Sequence, residues 1–252
     1  MIHSFLLIGQ SNMAGRGFLN EAEKIDTTHI KILRNGRWQG MFRPINPDRS
    51  FSGVSLAESF AEKYAEKYGV EAGLICCADG GTSLDQWKPG SLLFDNAVFN
   101  AKLAARTSII AGVLWHQGEA DCKDVSLYST YRQRFEVIMN ALRAELNLQR
   151  VPFILGGLGD FLADRPYVPD EAKNNYRYVN EQLKAVAENN PMTGFVSAEG
   201  LTSNSDNLHF NAKSLYEFGH RYFNEYVKLR DDGIFTEKVL EDDFARTAME
   251  LL

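Results

Sequence analysis

Along the 252 residues, short unbroken apolar runs alternate with longer stretches in which apolar residues recur every three or four positions. The first run, "SFLLIG" over 4–9, has no polar residue after its opening serine. Such a run is what a strand buried on both faces shows. "VEAGLICCA" (70–78), "SIIAGVLWHQG" (108–118), "VPFILGGLG" (151–159) and "TGFVSAEG" (193–200) read as further strands. Helix-period segments lie between them. Leu56, Phe60, Tyr64 and Tyr68 stand four apart over 55–69, and Gly69 closes that segment. Helices are likewise predicted over 91–106, 127–147, 170–191 and 211–229.

Strand then helix, repeated about five times, predicts parallel strands joined by right-handed crossovers with helices on both faces. The expected fold class is α/β, a three-layer α/β/α sandwich around a parallel sheet of about five strands. Residues 17–50 break the alternation, and "GRWQGMFRPINPDRS" reads as an irregular surface insertion. One domain over 1–230 is expected. The acidic tail over 231–252 reads as a docked helix, a partner-binding segment or a partly disordered end.

Composition changes this picture little. Hydrophobic residues make up 44% and charged residues 24%, as in ordinary globular proteins. The net charge of −6 and the lack of a dense Lys/Arg cluster argue against nucleic acid as a partner. The nearest approach, "HIKILRNGR" (29–37), reads as a solvated hairpin. No apolar stretch reaches the roughly 18 residues of a membrane span. No positive region precedes the first apolar run, so no signal peptide is read there. Three cysteines, Cys76, Cys77 and Cys122, form neither a disulfide framework nor a metal-ligand spacing. Reduced thiols in a cytoplasmic protein are the expectation.

In an open parallel sheet, ligands bind beyond the carboxyl ends of the strands. Four polar loops fall there: "GQSNMAG" (9–15), "ADGGTSLDQW" (78–87), "WHQGEAD" (115–121) and "SDNLHF" (205–210). Ser11 follows the first strand, where the amides of a helical turn would favour a developing anion. A serine after a strand is more often a simple helix cap, and the Gly-x-Ser-x-Gly elbow is absent because Met13 follows Asn12. Asp206 and His209, three apart, could share one turn, the carboxylate orienting an imidazole whose other nitrogen faces a nucleophile. Gln117 and the backbone N–H of Gly81 are candidate oxyanion donors. His116, Glu119 and Asp121 match no standard zinc spacing, and no metal or other cofactor is expected. A nucleophile, a base with its carboxylate and oxyanion donors together describe acyl transfer.

These four blocks resemble, in order and over residues 9–210, those of the SGNH hydrolase superfamily. The resemblance is closest to the branch holding sialate O-acetylesterases and the acetylxylan esterases of carbohydrate esterase family six. It implies a flavodoxin-like sandwich and metal-independent ester hydrolysis. Carried over block by block, Ser11 would be the nucleophile and His209 the general base and then acid. The N–H groups of Ser11 and Gly81 and the side chain of Gln117 would form the oxyanion hole. Gln117 stands where the broader superfamily has asparagine, a departure this branch shares. The Asp-x-x-His block nominates Asp206 as acid partner, ahead of Glu119 from the facing loop. Gln10, Asn12, Arg16, Trp87 and His116 are further candidates for substrate contact. The partner expected is an acetylated carbohydrate. A general short-chain esterase, and a carbohydrate-binding protein that has lost its activity, are the alternatives. The 17–50 insertion is either part of the sugar-binding side or a contact between copies in a homo-oligomer.

Overall fold

The structure, a computed structural model, describes residues 1–166 and 168–231. In chain order its elements are β1 (Ile2–Gly9), α1 (Ser11–Ala14), β2 (Ile30–Arg34), β3 (Arg37–Gly40), α2 (Leu56–Tyr68), β4 (Glu71–Cys76) and α3 (Leu92–Ala104). There follow β5 (Ile109–His116), α4 (Val125–Tyr128), α5 (Tyr131–Leu146), β6 (Phe153–Gly156), α6 (Asn175–Asn189), β7 (Thr193–Val196) and α7 (Ala212–Leu229). The strands form one sheet in the order β3-β2-β4-β1-β5-β6-β7.

The five strands read from apolar runs are β4, β1, β5, β6 and β7, all parallel. Numbered among themselves they follow the order 2-1-3-4-5 of the flavodoxin-like doubly wound sheet. The sheet is wider than expected because the 17–50 segment is not wholly irregular. Its "HIKILRNGR" stretch forms the hairpin β2–β3, and β2 pairs in parallel with β4 at the sheet edge. Ile30 and Ile32 are fully buried there, and Leu33 and Trp38 pack in part against the core.

Both faces are covered. Helices α2 and α7 pack together on one face over an aromatic layer in which Phe5 meets the ring edges of Phe60, Tyr64 and Tyr226. On the other face α3 and α5 pack together, with α6 against α5. There Trp115 packs on Trp87 and Phe135. Helix α2 starts at a capping box of Ser55 and Glu58, and Ser55 Oγ also donates to Met13 O at 2.8 Å, tying the first loop to this helix. Cys76, Cys77 and Cys122 are unpaired, and burial pushes the Cys77 thiol up to about 12. Among the described residues no helix is long and apolar enough to cross a membrane. The 231–252 tail lies outside the described residues except for Asp231, which meets Arg150 at 2.6 Å.

The sheet reverses its direction of winding between β1 and β5, and the loops after those two strands therefore open a crevice. Their ends are close: a Cβ on Gly9 would lie 2.1 Å from His116 O, and Gly9 has φ +126°. Only glycine allows β1 to end there. On the opposite side of the chain's length, α7 must press on α2 for the loop before it to reach this crevice. Gly219 makes that approach, since a Cβ there would stand 2.1 Å from Leu56 O and 2.1 Å from Ser59 Oγ. In a solvated helix Gly→Ala stabilises by about 1 kcal/mol. Here Gly219→Ala is expected to destabilise by at least about 1–2 kcal/mol through overpacking. Urea unfolding of both proteins checks the sign; a stabilised variant would show that the helices do not meet at this residue.

Candidate active site

Ser11 is the first residue of α1, directly beyond the carboxyl end of β1. No backbone or side-chain acceptor among the described residues takes its N–H. Its Oγ stands 3.0 Å from His209 Nε2, and His209 Nδ1 stands 2.7 Å from Asp206 Oδ2. Asp206 also accepts the backbone N–H groups of Leu208 and His209 at 2.9 and 3.0 Å through its other oxygen. Burial pushes the Asp206 carboxyl up, but the N–H and ring of His209 and the N–H of Leu208 outweigh it. The carboxyl is held below the usual carboxylate range. The expected Asp-x-x-His turn and the Ser11 loop thus meet across 198 residues of chain.

What holds them together is Asn12. Its Nδ2 donates to Leu208 O at 3.1 Å and its Oδ1 accepts Phe210 N at 3.1 Å. One carboxamide therefore grips both backbone neighbours of His209. Its Nδ2 also donates to Glu119 Oε1, which lies 3.2 Å from His116 Nε2. Burial pushes the Glu119 carboxyl up, yet the His116 ring and the Asn12 amide bring it below the usual range. Among the described residues Glu119 makes no hydrogen bond or ion pair with His209; its Oε1 goes to Asn12 and His116 instead.

Three of the expected substrate or oxyanion contacts are buried beneath the site instead. Gln117 is fully buried, and its Nε2 is surrounded by Gln10 Oε1, Thr82 O and Asp121 Oδ2 at 3.3, 3.0 and 2.7 Å. Its Oε1 accepts from Tyr131 OH at 3.0 Å, which fixes the amide's orientation and leaves no donor for an oxyanion. His116 is fully buried between Glu119, Phe210 and Phe218. Trp87 is fully buried too, its Nε1 on Thr82 Oγ1 and its ring against Trp115. Each follows a strand or turn that points it into the core, where a polar atom must find a protein partner. Asp121, the third member of the metal-like trio, turns to Gln117, Leu84 N and Arg134, away from Glu119.

A cavity of about 450 Å³ opens over Ser11 and His209, and Gln10, Arg16, Gly81 and Glu119 border it. The Gly81 N–H, at φ +80°, has no partner among the described residues. Gln10 Oε1 collects Gln117 Nε2 and the N–H groups of Gly118 and Ala120, all at 3.3 Å. Its Nε2 is left without a partner among the described residues. Arg16 is held bidentately by Asp48 at 3.0 and 2.7 Å, and Asp48 also accepts Gly80 N at 2.9 Å. Burial raises the Asp48 carboxyl, but Arg16 and Ser52 hold it below the usual range.

Sequence reasoning missed Asp48 and Arg49, which bring the end of the 17–50 insertion into the site, and Phe51 just beyond it. Arg49 meets Asp79 at 2.7 Å, and Phe51, 67% exposed, stands on the cavity lip. In the sequence the available signal was a lone aromatic residue, Phe51, within the polar stretch "PDRSFSG" (47–53). Lys123 and Arg165, also missed, border the cavity from the loops after β5 and β6.

Known proteins carry the same arrangement of elements. A curated relative described as "Probable carbohydrate esterase", from Arabidopsis thaliana, is 27% identical over 245 residues, covering 88% of this chain and 89% of its own. The crystal structure of that Arabidopsis protein superimposes with a TM-score of 0.77 at 26% identity, over 91% of this chain and 99% of its own. A carbohydrate acetylesterase from Xanthomonas citri shares the fold, with a TM-score of 0.66 at 18% identity over 91% of this chain and 56% of its own. The profile of the family described as carbohydrate esterase, sialic acid-specific acetylesterase, matches residues 1–228. The chain belongs to this family of carbohydrate esterases and is a carboxylic ester hydrolase.

Proposed function

We propose that the protein removes O-acetyl groups from carbohydrates through an acetyl-enzyme on Ser11. The observation that carries this reading is the aligned Ser11–His209–Asp206 chain, at 3.0 and 2.7 Å, under an open cavity. Family membership and the Xanthomonas neighbour support a carbohydrate ester as substrate.

His209 Nε2 takes the Ser11 proton as Oγ attacks the acetyl carbonyl. Negative charge then develops on the carbonyl oxygen, where the N–H groups of Ser11 and Gly81 are free to donate. Gln10 Nε2 takes the third donor's place that Gln117 cannot fill. The sugar hydroxyl leaves with the proton from His209. Water, deprotonated by the same imidazole, releases acetate and restores Ser11. Asp206 stays ionised throughout and stabilises the imidazolium. Asn12, Glu119 and His116 act through His209's backbone, holding the imidazole at hydrogen-bond distance from the serine.

Acetate release from p-nitrophenyl acetate, acetylated xylo-oligosaccharides and O-acetyl sialic acid tests the reading. Wild type is expected to hydrolyse at least one sugar ester, and Ser11→Ala to lose at least about ten-thousand-fold in kcat. A folded Ser11→Ala protein that keeps its rate sinks the serine mechanism.

Asp206→Asn removes the anion beside the imidazole. The expected kcat loss is about 10³- to 10⁴-fold. The imidazole then takes up a proton less readily, so the acid limb of kcat/KM moves to lower pH. A limb that stays put, or moves up, would transfer the acid role elsewhere.

Glu119→Gln and Asn12→Ala keep Ser11, His209 and Asp206 but loosen the loop. Each is expected to lower kcat by about 10- to 100-fold, the worth of one buried charged or polar hydrogen bond. Asn12→Ala changes KM little, and in both variants the acid limb keeps its position. A Glu119→Gln profile that shifts as Asp206→Asn does would make Glu119 the imidazole's partner.

A further inference from the structure

A second cavity, of about 820 Å³, adjoins the catalytic one, and Glu119, Lys123 and Arg165 border both. Its walls are largely apolar and aromatic, with Leu162, Tyr128 and Tyr176 among them. Tyr128 is stacked on Tyr178, with ring centroids 5.2 Å apart and planes 10° from parallel. Phe51 offers a further exposed ring on the lip of the first cavity. Two adjoining cavities with aromatic walls exceed the needs of an acetyl group on a single ring.

The charges at the junction are uneven in a telling way. The other cations of the catalytic cavity are matched, Arg16 by Asp48 and Arg49 by Asp79. In the second cavity Lys173 meets Asp170 at 2.5 Å, and Glu171 is exposed. Arg165 is half-buried, yet its guanidinium has no hydrogen-bond or ion-pair partner among the described residues, and neither has the ammonium of Lys123. Glu119 Oε1 faces Asn12 and His116, while its Oε2 is buried with no partner among the described residues. A half-buried fork of N–H donors and an orphaned acceptor at one junction call for a ligand with both a carboxylate and a hydroxyl.

We propose that the two cavities form one cleft for an O-acetylated oligosaccharide that carries a carboxylate. The acetylated ring lies over Ser11 and a further ring enters the second cavity. Arg165 and Lys123 bind the carboxylate at the junction, and a ring hydroxyl donates to Glu119 Oε2. The inference rests on the esterase reading above and names the residues that select its substrate.

Two substrate pairs test it, each compared with its carboxyl-reduced counterpart. One is an acetylated xylo-oligosaccharide with a glucuronate branch, its carboxylate on a neighbouring ring. The other is a trisaccharide ending in O-acetyl sialic acid, its carboxylate on the acetylated ring. In wild type, kcat/KM for the carboxylate form of one pair is expected to exceed that of its reduced form by about 10- to 100-fold. The pair with the larger ratio identifies which ring bears the charge. Arg165→Gln, alone or with Lys123→Gln, brings that ratio close to one, and Arg165→Lys retains part of it. A wild-type ratio near one for both pairs, a ratio unmoved by Arg165→Gln, or equal kcat/KM for oligosaccharide and free monosaccharide overturns the proposal.

A binding measurement separates its failure from that of the esterase reading. Calorimetry on Ser11→Ala with the deacetylated oligosaccharides is expected to give a lower Kd for the carboxylate form, and Arg165→Gln in that background to abolish the difference. Loss of that preference counts against the subsite whatever the rates. Lack of wild-type p-nitrophenyl acetate hydrolysis, with the binding preference intact, counts against the esterase reading alone.

Discussion

The carboxamide of Asn12 is the contact on which the rest of the site depends. Ser11 belongs to the first strand's loop and His209 to a turn almost two hundred residues later. No regular element joins them. Asn12 commits both its donors and its oxygen to this junction, donating to Leu208 O and Glu119 and accepting from Phe210 N. An amide can do this because it carries donors and an acceptor on one rigid plane. Neither an aspartate nor a leucine could replace it, since the first has no donor when ionised and the second has neither group.

Behind that amide the protein accepts a cost that its fold would otherwise avoid. Glu119, Asp121, Asp48, His116 and Gln117 are ionisable or polar groups set in a largely apolar surround, and each would be expensive there without partners. Each has them. Asp48 holds Arg16, Asp121 holds Arg134 and the Gln117 amide, and Glu119 holds His116 and Asn12. The partners come from different loops, so the same pairs that neutralise the charges fix the loops relative to one another. A buried pair constrains geometry more than it adds stability. That is the property an acyl-transfer site needs, where Oγ, imidazole and oxyanion donors must stay within a fraction of an ångström.

Around this rigid floor the walls of the cleft come from segments outside the four motif blocks. The irregular stretch between β3 and α2 delivers Asp48, Arg49 and Phe51. The loops after β5 and β6 deliver Lys123 and Arg165. Floor and walls thus come from different parts of the chain: the floor from short loops at the winding reversal of the sheet, the walls from longer irregular connections.

The sheet's five parallel strands, the helices between them and the loops that bear Ser11, Asp206 and His209 are legible in the chain alone. Those features are local. Apolar runs, helical periodicity and a serine or a three-residue Asp–His spacing are written in neighbouring positions. Even the basic hairpin at 29–37 was legible, though not its docking, because two buried isoleucines give too short a pattern to reveal a sheet edge. Where each polar side chain of "WHQGEAD" points is set by long-range packing instead. The stretch shows four polar residues after a strand, and nothing in their order tells that Gln117 turns into the core while Glu119 reaches the Asn12 brace. Nor could spacing place Glu119 relative to the imidazole, or find Asp48, Phe51, Lys123 and Arg165. Their positions follow from long-range packing of irregular backbone, which leaves no periodic trace in the chain.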